Sequence, residues 1–174
     1  MDLLECRLDI NDLDSFVADL TAIGERHGAT LQTVDARYVA DRRHLERAVE
    51  LADRAIERGE NVARDRAVEI LLYAAGRRQI DRALEMGVGE GENRAVVLID
   101  ATPHSDSKNG SDLDAARAAV TELEAFAGTE PTLDQQDEDV LRTFFDITDA
   151  ERAATDASLA ALVRERVALL DVEK

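Results

Sequence analysis

The sequence predicts an α+β fold, a small and mainly antiparallel sheet packed with about six helices in a single domain spanning residues 1–174. Three observations carry that expectation. Leu4, Cys6, Leu8 and Ile10 alternate with Glu5, Arg7 and Asp9, the two-residue period of a half-buried strand. Between Asp41 and Arg58 the apolar positions Leu45, Ala48, Val49, Ala52, Ala55 and Ile56 trace one stripe of a helix. The run Ile70 to Ala75 is apolar without interruption, far short of the roughly 20 residues of a membrane span, and reads as a helix buried nearly all round.

Taken in order, the opening strand is followed by a helix with Leu13, Phe16, Val17, Leu20 and Ile23 inward, Asn11 or Asp12 as its cap and Gly24 and Gly28 to end it. Thr30 to Val39 is a second strand or extended segment. The helix from Asp41 ends at Gly59, Asn61 is placed to cap the next one, and Gly76 closes the buried run. Arg77 to Met86 forms a short helix with Ile80, Ala83 and Leu84 inward, and Ala95 to Ile99 a buried strand. Thr102 to Gly110 is a polar loop, within which the sequon Asn109-Gly110-Ser111 reads as a turn. Ser111 to Asp114 resembles a capping box for a helix bearing Leu113, Ala116, Val120, Leu123 and Phe126. Gly128 and Pro131 stop it, leaving a short edge strand around Thr132 and Leu133. Val140 to Phe145 is a brief helix, and a second capping box, Thr148 and Glu151, opens a C-terminal helix running to about Leu170.

A chain of 174 residues can bury roughly 70% of its unfolded surface, enough for a core of Leu, Val, Ile and Ala, since there are only four Phe, two Tyr and no Trp. The net charge of −17 argues against a phosphate partner at ordinary ionic strength. Of 21 basic residues, however, only Lys108 and Lys174 are lysines, and aspartate outnumbers glutamate. That composition fits a surface adapted to molar salt, where the Debye length falls to about 3 Å and long-range repulsion is screened. Cys6 stands alone, which excludes an intramolecular disulfide and argues against a cysteine-based zinc site. The mixed acidic and apolar N-terminus has neither a basic region nor an apolar core of a signal segment, so a cytoplasmic location is expected.

Little in the chain points to catalysis. Gly87, Gly89 and Gly91 follow a helix and precede a strand, the reverse of the order a dinucleotide loop requires. His27, His44 and His104 lack the spacing that would aim two imidazoles at one metal. No nucleophile elbow or phosphate loop occurs. The cluster Asp134, Asp137, Glu138 and Asp139 reads as a solvated helix start. Neither a cofactor nor a small-molecule substrate is therefore expected. One feature does stand out: Arg37 to Arg82 holds eleven arginines against nine acidic residues, a net of +2, while the rest of the chain carries −19. Most of these arginines suit i,i+4 pairs on exposed helix faces. Arg77 and Arg78 differ, because they follow the buried helix at Gly76, where guanidinium groups and the next helix start can converge on an anion.

The same stretch carries a resemblance. Glu69-Ile70-Leu71-Leu72-Tyr73-Ala74-Ala75-Gly76-Arg77-Arg78-Gln79-Ile80 with Ala83-Leu84-Glu85-Met86-Gly87-Val88 resembles the signature of the kinase-binding subunit of the archaeal KEOPS complex, the family that includes human PRPK-binding protein; the composition suggests its haloarchaeal type. Tyr38-Val39, His44-Leu45, Ala48, Gly59 to Ala63 and Val140 to Val167 are similar as well, so the likeness spans about residues 31–170. Asp41 departs from it, where many members have glycine. The resemblance implies a non-catalytic adaptor that binds a PRPK-like kinase/ATPase within a complex installing threonylcarbamoyladenosine on tRNA, and that holds the tRNA 3′ CCA end. It implies an RNA site of Arg78 and Gln79 supported by Arg77, His44 and Gly76. For the kinase surface, the C-terminal helix at Leu162 and Val163 is the candidate, with an ordinary core stripe as the alternative for the same residues. Two other functions stay open: a purely structural interaction protein without RNA contact, and a small enzyme acting on an anionic substrate.

Overall fold

The computed structural model describes residues 1–105, 110–134 and 136–173 and is α+β, with eight α-helices and one four-stranded antiparallel sheet among those residues. Asn109 of the sequon and the lysines at 108 and 174 lie outside them. The chain divides into two compact units, one formed by Met1–Asp35 with Val88–Thr132, the other by Ala36–Gly87 with Leu133–Lys174.

The first unit holds the sheet, in the order β2-β3-β1-β4. Strand β1 (Asp2–Ile10) pairs with β3 (Gly91–Ala101) along its whole length, Leu4 opposite Val97 and Cys6 opposite Ala95. Strand β2 (Ala29–Asp35) lies on the far side of β3, and β4 (Phe126–Thr129) on the other edge of β1, with a register shift at Arg7/Leu8. The alternation read from the sequence holds: Leu4, Cys6, Leu8 and Ile10 share one face with Ala95, Val97 and Ile99. Helices α1 (Leu13–His27) and α5 (Leu113–Thr121) cover that face through Phe16, Leu20, Ile23, Ala116 and Val120. Cys6 is buried here, and burial pushes its thiol up to about 12, so it stays a neutral packing group.

Several local expectations need correction in this unit. Asp12 caps α1, but Gly24 does not end it; the helix runs on to a left-handed Gly28. Gly24 is needed for approach instead, because a Cβ there would sit 2.4 Å from the Ala29 carbonyl oxygen. Val17 points to solvent. The second strand stops at Asp35, and Ala36–Tyr38 is a 3-10 turn. Asp112, not Ser111, caps α5, while the Ser111 hydroxyl donates to the Gly28 carbonyl. The helix ends at Thr121, so Phe126 belongs to β4, and the edge strand precedes Pro131 rather than following it.

The second unit is helical. Helix α2 (Arg42–Arg58) packs on α3 (Arg66–Ala75) and on α8 (Leu159–Glu173). Every residue of α3 from Glu69 to Ala75 is buried, and the left-handed Gly59 and Gly76 end α2 and α3 as their positions predict. Asn61 does not cap α3. Asp65 does, because the intervening loop is already held by Glu69, whose carboxylate accepts from the Val62 and Ala63 amides at 3.1 and 2.8 Å. Helix α4 (Ile80–Ala83) is a single turn running into a 3-10 turn, Leu84–Met86; only Ala83 and Met86 are inward, and Ile80 and Leu84 face solvent. Helix α6 (Glu138–Phe144) is capped by Asp137. The expected C-terminal helix is two, α7 (Asp149–Ala153) and α8, because Thr155 and Ser158 draw backbone amides to their hydroxyls and restart the chain.

Candidate functional site

The residues singled out in the sequence converge on the joint where α3 ends. Ala74 lies in the last turn of α3, where carbonyls have no helical partner. His44 supplies one: its Nε2–H donates to the Ala74 carbonyl at 2.7 Å, and its Nδ1 accepts from the Ala40 amide at 3.1 Å. The acceptor role at Nδ1 fixes the neutral Nε2–H tautomer. The His44 backbone amide in turn donates to Asp41, the cap of α2, and the other Asp41 oxygen receives Arg164 of α8 at 2.7 Å. One imidazole and one carboxylate thus tie α2, α3 and α8. The departure from glycine at Asp41 is explained by this double use, and its extended backbone (φ −166°) asks nothing of glycine.

His44 is completely buried. That corrects its expected place in an RNA site, since both ring nitrogens are engaged and neither reaches solvent. Burial pulls its pKa down to about 4, against the opposing Ala74 hydrogen bond and the nearby Asp41 charge, with Arg164 adding to the lowering.

An aromatic ladder continues from this joint. The Phe145 ring meets His44 edge-on at 5.5 Å, Phe144 meets Phe145 edge-on at 4.9 Å, and Tyr38 meets Phe144 at a tilt at 4.9 Å, so three of the chain's six Phe and Tyr rings gather here. Arg77 caps the ladder: its guanidinium lies 5.1 Å from the Phe144 ring centre, donates to the Phe144 carbonyl and sits 3.7 Å from Asp146. From the other side Arg166 donates to the Phe145 and Asp146 carbonyls and pairs with Glu151 at 2.7 Å, holding that carboxyl below its usual range. Two arginines therefore take up the orphan carbonyls at the end of α6.

Gly76 adopts φ 62° and ψ 34°, with the amides of Gly76 and Arg77 returning to Tyr73 and Leu72, so the chain reverses into an exposed segment, Arg78 to Arg82. Of the five residues expected in the RNA site, the structure brings Gly76, Arg77, Arg78 and Gln79 together at this turn. Arg78 and Gln79 are exposed; Arg77 is largely committed to the ladder; His44 lies beneath. Among the other arginines of the basic segment, Arg42 pairs with Glu46 and Arg47 and Arg54 with Glu50 along the face of α2, while Arg66 reaches from α3 to Asp53 of α2. Among the described residues Arg82 forms no ion pair.

Beside the turn lies a cleft of about 540 Å³ lined by Tyr38, Arg77, Arg82, Glu85, Asp139, Val140, Thr143, Phe144 and Asp146. The sequence reading missed Tyr38, Arg82, Glu85 and Asp139 as site residues. Arg82 and Glu85 carried a signal, lying one turn apart within the motif segment, whereas nothing local ties Asp139 to them. Leu162 and Val163, the expected kinase contacts, are 3% and 0% exposed and pack inside this unit, so a partner cannot touch them on the folded surface. The outer face of α8 instead presents Leu169 and Val172, 45% and 79% exposed. Among the described residues no group of three or more His, Cys, Asp or Glu side chains gathers as metal ligands, and no helix is long and apolar enough to cross a membrane.

The state of His44 makes stability pH-dependent. Its folded pKa lies below the unfolded value of 6.5, so the unfolded chain binds the extra proton between pH 6.5 and 4. Stability present above pH 6.5 is lost as pH falls, by about 3 kcal/mol over that window. Urea unfolding of wild type and His44→Gln at matched salt checks this. The wild type loses about 3 kcal/mol more than the variant, the carboxylates common to both cancelling; parallel profiles contradict it.

A family model described as kinase binding protein CGI-121 matches residues 10–171 of the chain. No curated protein matches it.

Proposed function

Because the chain belongs to the kinase-binding protein CGI-121 family, we propose that it is the non-catalytic, kinase-binding subunit of a KEOPS-type complex that makes threonylcarbamoyladenosine in tRNA, and that it also holds the tRNA 3′ end. The observation that carries the RNA part is the left-handed Gly76 turn, which presents exposed Arg78 and Gln79 beside a cleft of ligand size. Arg78 offers a planar guanidinium to a phosphate or to the face of a base, and Gln79 a donor and an acceptor to a base edge. Arg82 joins them, while Arg77 positions the turn through Phe144, and His44 and Gly76 act only as its support. Such short-range contacts suit single-stranded RNA, whose unstacked bases are read by stacking and hydrogen bonds. They also persist in a chain of charge −17, where long-range steering toward RNA is unfavourable.

For the kinase, the reading moves from the buried stripe of α8 to its outer face, Leu169 and Val172. Large exposed apolar side chains on a helix are what a docking subunit must keep available. The alternative of an interaction protein without RNA contact has one observation in its favour, the use of Arg77 inside its own unit.

Two experiments decide between these readings. Arg78→Glu is expected to lower the affinity for intact tRNA to that of tRNA lacking its CCA tail, without weakening the kinase complex. Equal wild-type affinity for intact and tail-less tRNA removes the RNA part. In a binding assay with the PRPK-like kinase, Leu169→Glu is expected to release the partner with an unchanged unfolding midpoint. Leu162→Glu instead destabilises the chain by several kcal/mol, a buried charge with no partner. Retention of the kinase by Leu169→Glu contradicts the outer-face assignment.

A further inference from the structure

The lining of the cleft beside Arg77 is unlike that of a phosphate pocket. Three carboxylates, Glu85, Asp139 and Asp146, face two guanidinium groups, and one of those, Arg77, already donates to the Phe144 carbonyl and lies 3.7 Å from Asp146. The formal charge of the lining is therefore −1. A terminal phosphate would be repelled there, yet an uncharged group rich in hydroxyl donors would find acceptors. Glu85 and Asp139 form no ion pair among the described residues, and both are exposed to the cleft mouth. The Tyr38 ring in the lining is already engaged, by the Arg37 guanidinium 5.5 Å from its centre and by Phe144 at 4.9 Å, while Thr143 adds a hydroxyl and Arg82 a cation without an ion-pair partner among those residues.

Two carboxylates without ion-pair partners among the described residues, a hydroxyl and a single available guanidinium make up an inventory for the ribose that ends a strand. A carboxylate accepts hydrogen bonds from ribose hydroxyls, as acidic side chains do at the ribose of dinucleotides. Arg82 lies in the same lining for a preceding phosphate. Building on the tRNA 3′-end reading above, we propose that this cleft recognises the free 2′,3′ cis-diol of the terminal nucleoside, with Glu85 and Asp139 as its acceptors. The protein then selects tRNA whose 3′ end is unesterified. An acyl or phosphoryl group on either hydroxyl removes a donor facing a carboxylate and adds bulk or negative charge to an acidic cleft.

The test uses the full chain at high salt and four forms of one tRNA: a free 3′ end, a 2′,3′-dideoxy terminal nucleoside, a 2′,3′-cyclic phosphate, and no CCA tail. The free end is expected to bind at least about tenfold more tightly than the dideoxy end, the loss of hydrogen bonds to charged acceptors. The cyclic phosphate is expected to bind more weakly still. In the double variant Glu85→Gln, Asp139→Asn the penalty on the cyclic phosphate shrinks, because the repelling charges are gone while the chain keeps its fold. Equal affinity for free and dideoxy ends, both above the tail-less tRNA, overturns the diol proposal and leaves the 3′-end reading standing. Equal affinity for all four forms overturns both.

Discussion

The hydrogen bond from His44 to the Ala74 carbonyl is the contact on which the rest of the helical unit depends. Helix α3 must end abruptly for the chain to turn at Gly76, and an abrupt end leaves carbonyls without partners in a buried place. A backbone carbonyl stranded there costs about 1–3 kcal/mol. His44 meets that need from a neighbouring helix while accepting from Ala40, so it must be neutral, and burial keeps it so. Asp41 then joins the same point to α8 through Arg164. The exposed segment that follows Gly76 thus stands on a base whose polar groups are satisfied, and its direction is set by the fold itself.

The arginine-rich segment divides its labour accordingly. Some guanidinium groups work as structural donors, Arg66 in a two-point contact with Asp53, and Arg77 against the end of α6. Others stay at the surface in a short stretch after the turn. Segregating them there allows a strongly acidic chain to present a local cationic feature, and short-range contacts of planar groups depend less on ionic strength than diffuse attraction does.

Much of this was legible from residue order. The alternation in β1, the stripe of α2, the apolar run of α3 and the glycines at 59 and 76 each express a local rule strongly enough to survive into the fold. What failed were judgements that hang on distant partners. His44 is polar and starts a helix, which reads as surface; its burial follows from a carbonyl thirty residues away. Ile80 and Leu84 are apolar at helical spacing, which reads as inward, but a single turn of helix has no second turn to carry a core stripe, and they face out. Leu162 and Val163 were equally consistent with core and with docking, and only packing separates the two. The cleft itself joins Tyr38, Arg82 and Asp139 across about a hundred residues of chain, and no spacing rule connects them.

The central claim is that the segment after the His44-supported turn is where a single-stranded RNA end meets this protein. Amide chemical-shift mapping with a short RNA ending in CCA, at high salt, tests it directly. The account predicts shifts concentrated from Gly76 to Glu85 and along α6 from Asp139 to Phe144, with the neutral Nε2–H form of His44 preserved. Saturable shifts confined to the sheet strands β1 to β4, or none at RNA concentrations where tRNA binding is complete, would contradict it.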